Sequence, residues 1–219
     1  MSLRETVLAR VAAGRPLADL DLRGAALSDV DLTGADLRGA DLDGADLSRA
    51  LASRACFDGA ALTRVTAVGL CAPGASFARA ELEEARLEGA NLSGTSFPDA
   101  HLGLACLDGS DLSGAYFDRA ELEEARLAAI HAPGVRFIDA DLSDARLPRA
   151  QLLGADFSGA TCRGADFTGA NLQGSKLHRV TFTKAKLDGA DLSQADVRRV
   201  ELLGASLEGA RMVGVDLWG

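Results

Sequence analysis

Few residues in this chain have the types that usually do chemistry. Histidine occurs at His101, His131 and His178, and cysteine at Cys56, Cys71, Cys106 and Cys162. A nucleophile needs a base within hydrogen-bond reach, and no spacing here brings Ser or Cys to a His. The cysteines form no CxxC and no metal-ligand pattern, so no metal or other cofactor is expected. They read as free thiols in a reducing cytoplasm. No GxxxxGK[ST] phosphate loop is present. What does gather is carboxylate: AELEE stands at both 80–84 and 120–124, and DLSD follows at 141–144. Groups forty residues apart can act together only if the fold stacks them, so the question passes to the elements that would do so.

The stretch GADLRGADLDGADLS (34–48) repeats every five residues, a period of neither helix nor strand. Stepping by five from Leu17 reaches Leu217 without an insertion or deletion, through 41 centres. They are Leu or Phe except at Ala52, Ala67, Ala72, Ala132, Cys162, Val197 and Met212. Two residues before each centre sits a small or β-branched residue, usually Ala; two residues after it, Gly is commonest. Such internal repetition decides the fold before any other signal.

Units such as AlaAspLeuArgGly (35–39) and AlaAsnLeuGlnGly (170–174) resemble those of the pentapeptide-repeat family, motif A-(D/N)-L-x-x, over residues 15–219. The resemblance implies an all-β solenoid, a right-handed quadrilateral parallel β-helix with one pentad per side. That gives about ten coils and a rod of roughly 48 Å at the usual strand spacing. Four sides per coil predict that residues twenty apart stack. Phe57, Phe77, Phe97, Phe117, Phe137 and Phe157 form an unbroken series at that period. In LeuCysAlaProGly (70–74) and IleHisAlaProGly (130–134) a shrunken centre, Ala72 or Ala132, accompanies an enlarged Leu70 or Ile130, which conserves core volume. Ala52 has no such partner, so a local void or an inward shift of Leu51 is expected there.

Net charge is −9, which disfavours direct binding to nucleic acid or anionic membrane and leaves a basic partner open. No apolar run approaches the roughly 18 residues of a membrane helix. Divided by wall, the side of Leu22, Leu42 and Leu62 carries −8, and the other three carry −1, −1 and 0. The acidic wall offers Asp41, Asp43, Glu81, Glu83, Glu84, Glu121, Glu123, Glu124, Asp141, Asp144 and Glu201 as a partner-binding face. His101, Gly103 and Leu104 form a neutral window in it. A filled square rod is expected to lack the concave pocket of an enzyme, so the chain reads as a non-catalytic protein-binding scaffold. Some members of the resembling family mimic DNA and engage DNA gyrase or topoisomerase IV, which makes those enzymes possible partners. The same charges would also suit a purely structural, solvated wall.

Residues 1–14 read as an N-terminal capping helix. Ser2 and Glu5 form a capping box, Leu3, Val7, Leu8 and Val11 an apolar stripe, and Gly14 a stop. Residues 15–219 form the β-helix as a single domain. The family often dimerises through a C-terminal helix. Here ValAspLeuTrpGly (215–219) is a plain pentad and departs from that pattern, so either the coil end is bare or two chains abut there at Leu217 and Trp218; a homodimer is the expectation.

Overall fold

The computed structural model describes residues 2–215. Helix α1 covers Leu3–Ala12. Its N-terminal donors are met by the capping box: Ser2 Oγ accepts from the Glu5 N–H at 3.2 Å, and Glu5 Oε2 accepts from the Ser2 N–H at 2.7 Å. Past its end Gly14 takes φ +61°, a left-handed position. The expected four-residue stripe narrows to two. Val7 is buried and Val11 half-buried, while Leu3 and Leu8 are exposed. Arg4 sets this rotation, because its guanidinium donates to the carbonyls of Ala26 at 3.0 Å and Ser28 at 2.8 Å.

Beyond the helix every β-bridge is parallel and joins residues twenty apart, from Asp21↔Asp41 to Asp191↔Arg211. Four pentads therefore complete one turn. The sequence reading expected strands; the ladder is instead built of single bridging residues, one per side. Five residues are too few for more, since two of them must turn the corner.

The pentad of Leu142 shows how its backbone is satisfied. Asp141 N–H donates to Ala120 O of the coil below, while Leu142 and Asp144 N–H donate to Thr161 O and Arg163 O above. Ala145 N–H closes the turn on Leu142 O at 3.1 Å. Its third residue, Asp144, has φ +56°, the signature of a type II turn. Ser143 N–H is left over, and Asp141 Oδ1 accepts it at 2.9 Å. The family motif follows from this count. Asp or Asn before the centre takes up the one backbone donor the ladder leaves free, an Asx turn. It recurs at Asp31, Asp46, Asn91, Asp111, Asp156 and Asp191. Where the donor is absent no acceptor is required, and Pro73, Pro98, Pro133 and Pro148 all occupy that position.

The core is one column. The centres from Leu17 to Leu192 are buried, with the preceding small residues around them. The Phe series stacks as its period predicts, with centroids 4.6–5.1 Å apart from Phe57 to Phe157. Phe167 then takes over from the opposite wall, edge-on to Phe157 at 5.8 Å and to Phe182 at 5.5 Å. Leu51 does not shift inward over Ala52. It stays outside at 47% exposure, because its place in the bridge ladder to Asp31 and Cys71 fixes which way it points. Cys106, next to the centre Leu107, is buried, and burial raises its thiol pKa.

Candidate functional site

The bridge register aligns the acidic wall as the period requires. Before the centres run Asp21, Asp41, Ala61, Glu81, His101, Glu121, Asp141, Thr161, Thr181 and Glu201, each bridged to the next. After them stand Asp43, Glu83, Gly103, Glu123 and Ser143, and at the corner Glu84, Leu104, Glu124 and Asp144. At about 4.8 Å per coil, Glu81 and Glu121 lie roughly 10 Å apart along the axis.

The carboxylates sort into two kinds. Asp141 is engaged with the Ser143 N–H and, at 2.6 Å, with its hydroxyl. Asp41 accepts from the Asp43 N–H at 3.2 Å and faces Arg23 at 3.4 Å, while Asp43 accepts from the Thr63 N–H at 3.0 Å. These aspartates serve the backbone. At 81 and 121, however, glutamate replaces the motif aspartate, and neither side chain takes up the donor that the motif aspartate would. Glu81, Glu83, Glu84, Glu123 and Glu124 are exposed and have no ion pair among the described residues. Glu201 is likewise exposed but stands two coils beyond Thr161, away from the cluster. Asp144 leans over Gly164 of the next coil.

The window at His101 is not a neutral gap. His101 Nδ1 lies 2.7 Å from Glu121 Oε2. That contact, opposed by partial burial and aided by Glu81 and Glu83, raises the imidazole pKa above its ordinary 6.5. Nor is the wall flat. Gly103 has no side chain, and the space over it opens a cleft of about 450 Å³ between Glu83 and Glu123. Arg119 and Asp139 of the adjoining wall complete its rim, and Arg119 is held by Asp99 at 2.7 Å. A second groove of about 740 Å³ follows the other edge, where Arg126, Arg146 and Lys186 face Glu124, Asp144 and Asp166. Arg119, Arg126, Arg146 and Lys186 were not foreseen as neighbours of this wall. The twenty-residue stacking could have paired His101 with Glu121, but corner contacts between walls depend on side-chain reach.

Among the described residues no group of three or more His, Cys, Asp or Glu is placed to hold a metal ion. No helix there is long and apolar enough to cross a membrane. Cys162 is fully buried and its pKa is pushed strongly up by desolvation. Leu217 and Trp218, the expected dimer end, lie outside the described residues.

Comparison with known proteins gives the wall its setting. No curated protein matches the chain. HetL, a pentapeptide repeat protein involved in heterocyst differentiation regulation in the cyanobacterium Nostoc sp. strain PCC 7120, is 31% identical. The match covers 94% of this chain and 95% of that one, with a TM-score of 0.46. QnrB1, a plasmid-mediated fluoroquinolone resistance protein, is 22% identical over 84% of this chain and 91% of its own, at a TM-score of 0.54. The family model for pentapeptide repeats matches residues 17–51, 31–66, 75–114, 99–131, 136–174 and 175–219. With the twenty-residue bridge register and the pentad turns, these matches establish that the chain belongs to the pentapeptide-repeat family, whose members fold as right-handed quadrilateral β-helices.

Proposed function

We propose that this protein is a non-catalytic scaffold that presents its acidic wall to a basic surface of another protein. One observation carries the reading. At 81 and 121 glutamate stands where the repeat would place a backbone-capping aspartate, and of the six glutamates in 80–84 and 120–124 only Glu121 has its carboxylate bonded among the described residues, to His101. From Glu81 to Asp144 the array spans about 14 Å. That compares with a screening length of about 8 Å at physiological salt, so neighbouring coils act together on an approaching cation.

A narrower reading makes the wall a DNA mimic that binds DNA gyrase or topoisomerase IV. The linear, single-signed array favours it. The groove along one edge, where Arg126, Arg146 and Lys186 stand among Glu124, Asp144 and Asp166, opposes it, since a duplex has no such mixed-charge border. On either reading the protein works in the cytoplasm, where its thiols stay free, with no cofactor, membrane or direct nucleic-acid contact. We further propose self-association through the C-terminal coil. There the central residues Leu202 and Met212 are 41% and 38% exposed, against near-complete burial of the centres from Leu17 to Leu192.

The test is a supercoiling assay with purified gyrase, with and without a quinolone, alongside low-salt binding. Inhibition or protection is the expected result of the narrower reading, and its absence removes that reading. Changing Glu81, Glu83, Glu84, Glu121, Glu123 and Glu124 together to Lys should abolish binding of any partner while leaving the circular dichroism of the fold. Equal binding by that variant would leave the wall as a merely solvated face of a structural solenoid. Sedimentation of the same preparations at two concentrations reads self-association; a fixed monomer mass removes the proposed dimer.

A further inference from the structure

We propose that His101 makes the acidic wall sensitive to pH, weakening its hold on a basic partner as the solution is acidified; this rests on the partner-binding reading above. The geometry is that of a base set inside an acid array. His101 occupies the ladder between Glu81 and Glu121 and touches the latter at 2.7 Å. The charged groups around the cleft are Glu81, Glu83, Glu121, Glu123 and Asp141 on its own wall, and Arg119 and Asp139 on the adjoining one. Arg119 is occupied by the Asp99 carboxylate, so the field at the imidazole is dominated by acids. The absent side chain at Gly103 leaves the ring within reach of an incoming partner.

The sign follows from those neighbours. The Glu121 contact, reinforced by Glu81 and Glu83 against partial burial, holds the pKa of His101 above 6.5. Above that pKa His101 is neutral and Glu81, Glu83 and Glu123 act at full strength. Below it, a positive charge stands between the two glutamate blocks and Glu121 is engaged by an imidazolium. A cationic partner then loses one attraction and gains one repulsion. One unit charge at 5–10 Å on a partly solvated surface changes affinity by about threefold to tenfold. Linkage requires the converse as well: a bound cation must lower the pKa of His101.

Two measurements test this. The first is an NMR titration of the three histidines in the intact protein and in Glu121→Gln. His101 should titrate above 6.5 and fall toward it in the variant; a wild-type value at or below 6.5 overturns the proposal. The second is binding of a nona-arginine peptide at low salt from pH 8 to 5.5. Affinity should drop about threefold to tenfold in the wild type and in His131→Gln, whose substitution lies on the opposite wall. In His101→Gln the response should flatten. An unflattened response overturns the proposal while leaving the partner-binding wall intact. If the peptide fails to bind at any pH although His101 titrates high, the partner-binding reading itself is overturned.

Discussion

At the scale of single residues, the corner position shows how one coil constrains the next. Every residue two after a centre, from Asp19 to Gly214, has φ between +54° and +74°, and nineteen of them are not glycine. An aspartate in that position is followed twenty residues later by either arginine or glycine. Asp29 and Asp99 pair with Arg49 and Arg119 at 2.8 and 2.7 Å, whereas Asp19, Asp139 and Asp144 lean over Gly39, Gly159 and Gly164. A methyl group on Gly159 would collide with the Asp139 carboxylate, while one on Gly134 meets nothing within 4 Å. Gly134→Ala should therefore cost only the left-handed penalty, about 1–2 kcal/mol. Gly159→Ala should cost about 0.5–1.5 kcal/mol more, because the exposed Asp139 carboxylate must leave its rotamer to clear the methyl. Adding Asp139→Ala should recover most of that excess in urea denaturation; equal losses at the two glycines would mean that the corner side chains do not stack. The rule is written in the sequence at an offset of twenty, but reading it needs the direction in which a left-handed residue projects its side chain.

At the scale of the element, the pentad was largely legible because its chemistry repeats. The centre, the small residue before it and the Phe column could be read from spacing, as could the helix start at Ser2 and Glu5. The Asx acceptor was visible only as a letter of the motif until the hydrogen bonds showed its one free donor. Leu51 marks the limit: volume alone argued for moving it inward, whereas backbone register, invisible to composition, holds it out. The packed column also carries a large share of each coil's stability. Phe117 is fully buried between Phe97 and Phe137, at 4.6 and 5.1 Å, so Phe117→Ala should lower unfolding free energy by about 3–5 kcal/mol. A loss below about 1 kcal/mol in equilibrium denaturation would place that ring outside the core.

At the scale of the whole molecule, charge links the fold to pH in a second way. Asp21 and Asp196 are held at about 2 by hydrogen bonds from Arg23 and Arg198, and Asp191 at about 2 by bonds from Ser193. Asp29, Asp31 and Asp36 are lowered by their bonds to Arg49, Thr33 and Arg38. Unfolded aspartate titrates near 3.9, so these groups stabilise the fold above that pH, and their contribution is lost as pH falls from about 4 toward 2. Thermal melts should show a steep fall across that window; a midpoint unchanged down to pH 2 would mean that these bonds add nothing to stability. The acidic wall was readable because it depends only on arithmetic modulo twenty, whereas the cleft at Gly103 and the mixed-charge groove beside it depend on what each side chain leaves empty. The same arithmetic restricts how such a molecule can change its length. Removing a single pentad between Ala61 and Ala80 would turn everything downstream by a quarter revolution. The AELEE blocks would then continue a nearly neutral side, and the phenylalanines would fall on the column of Ala52 and Ala72 instead of on Phe57. Only the gain or loss of a full circuit keeps all four sides in phase, so viable indels in this chain come in units of twenty residues.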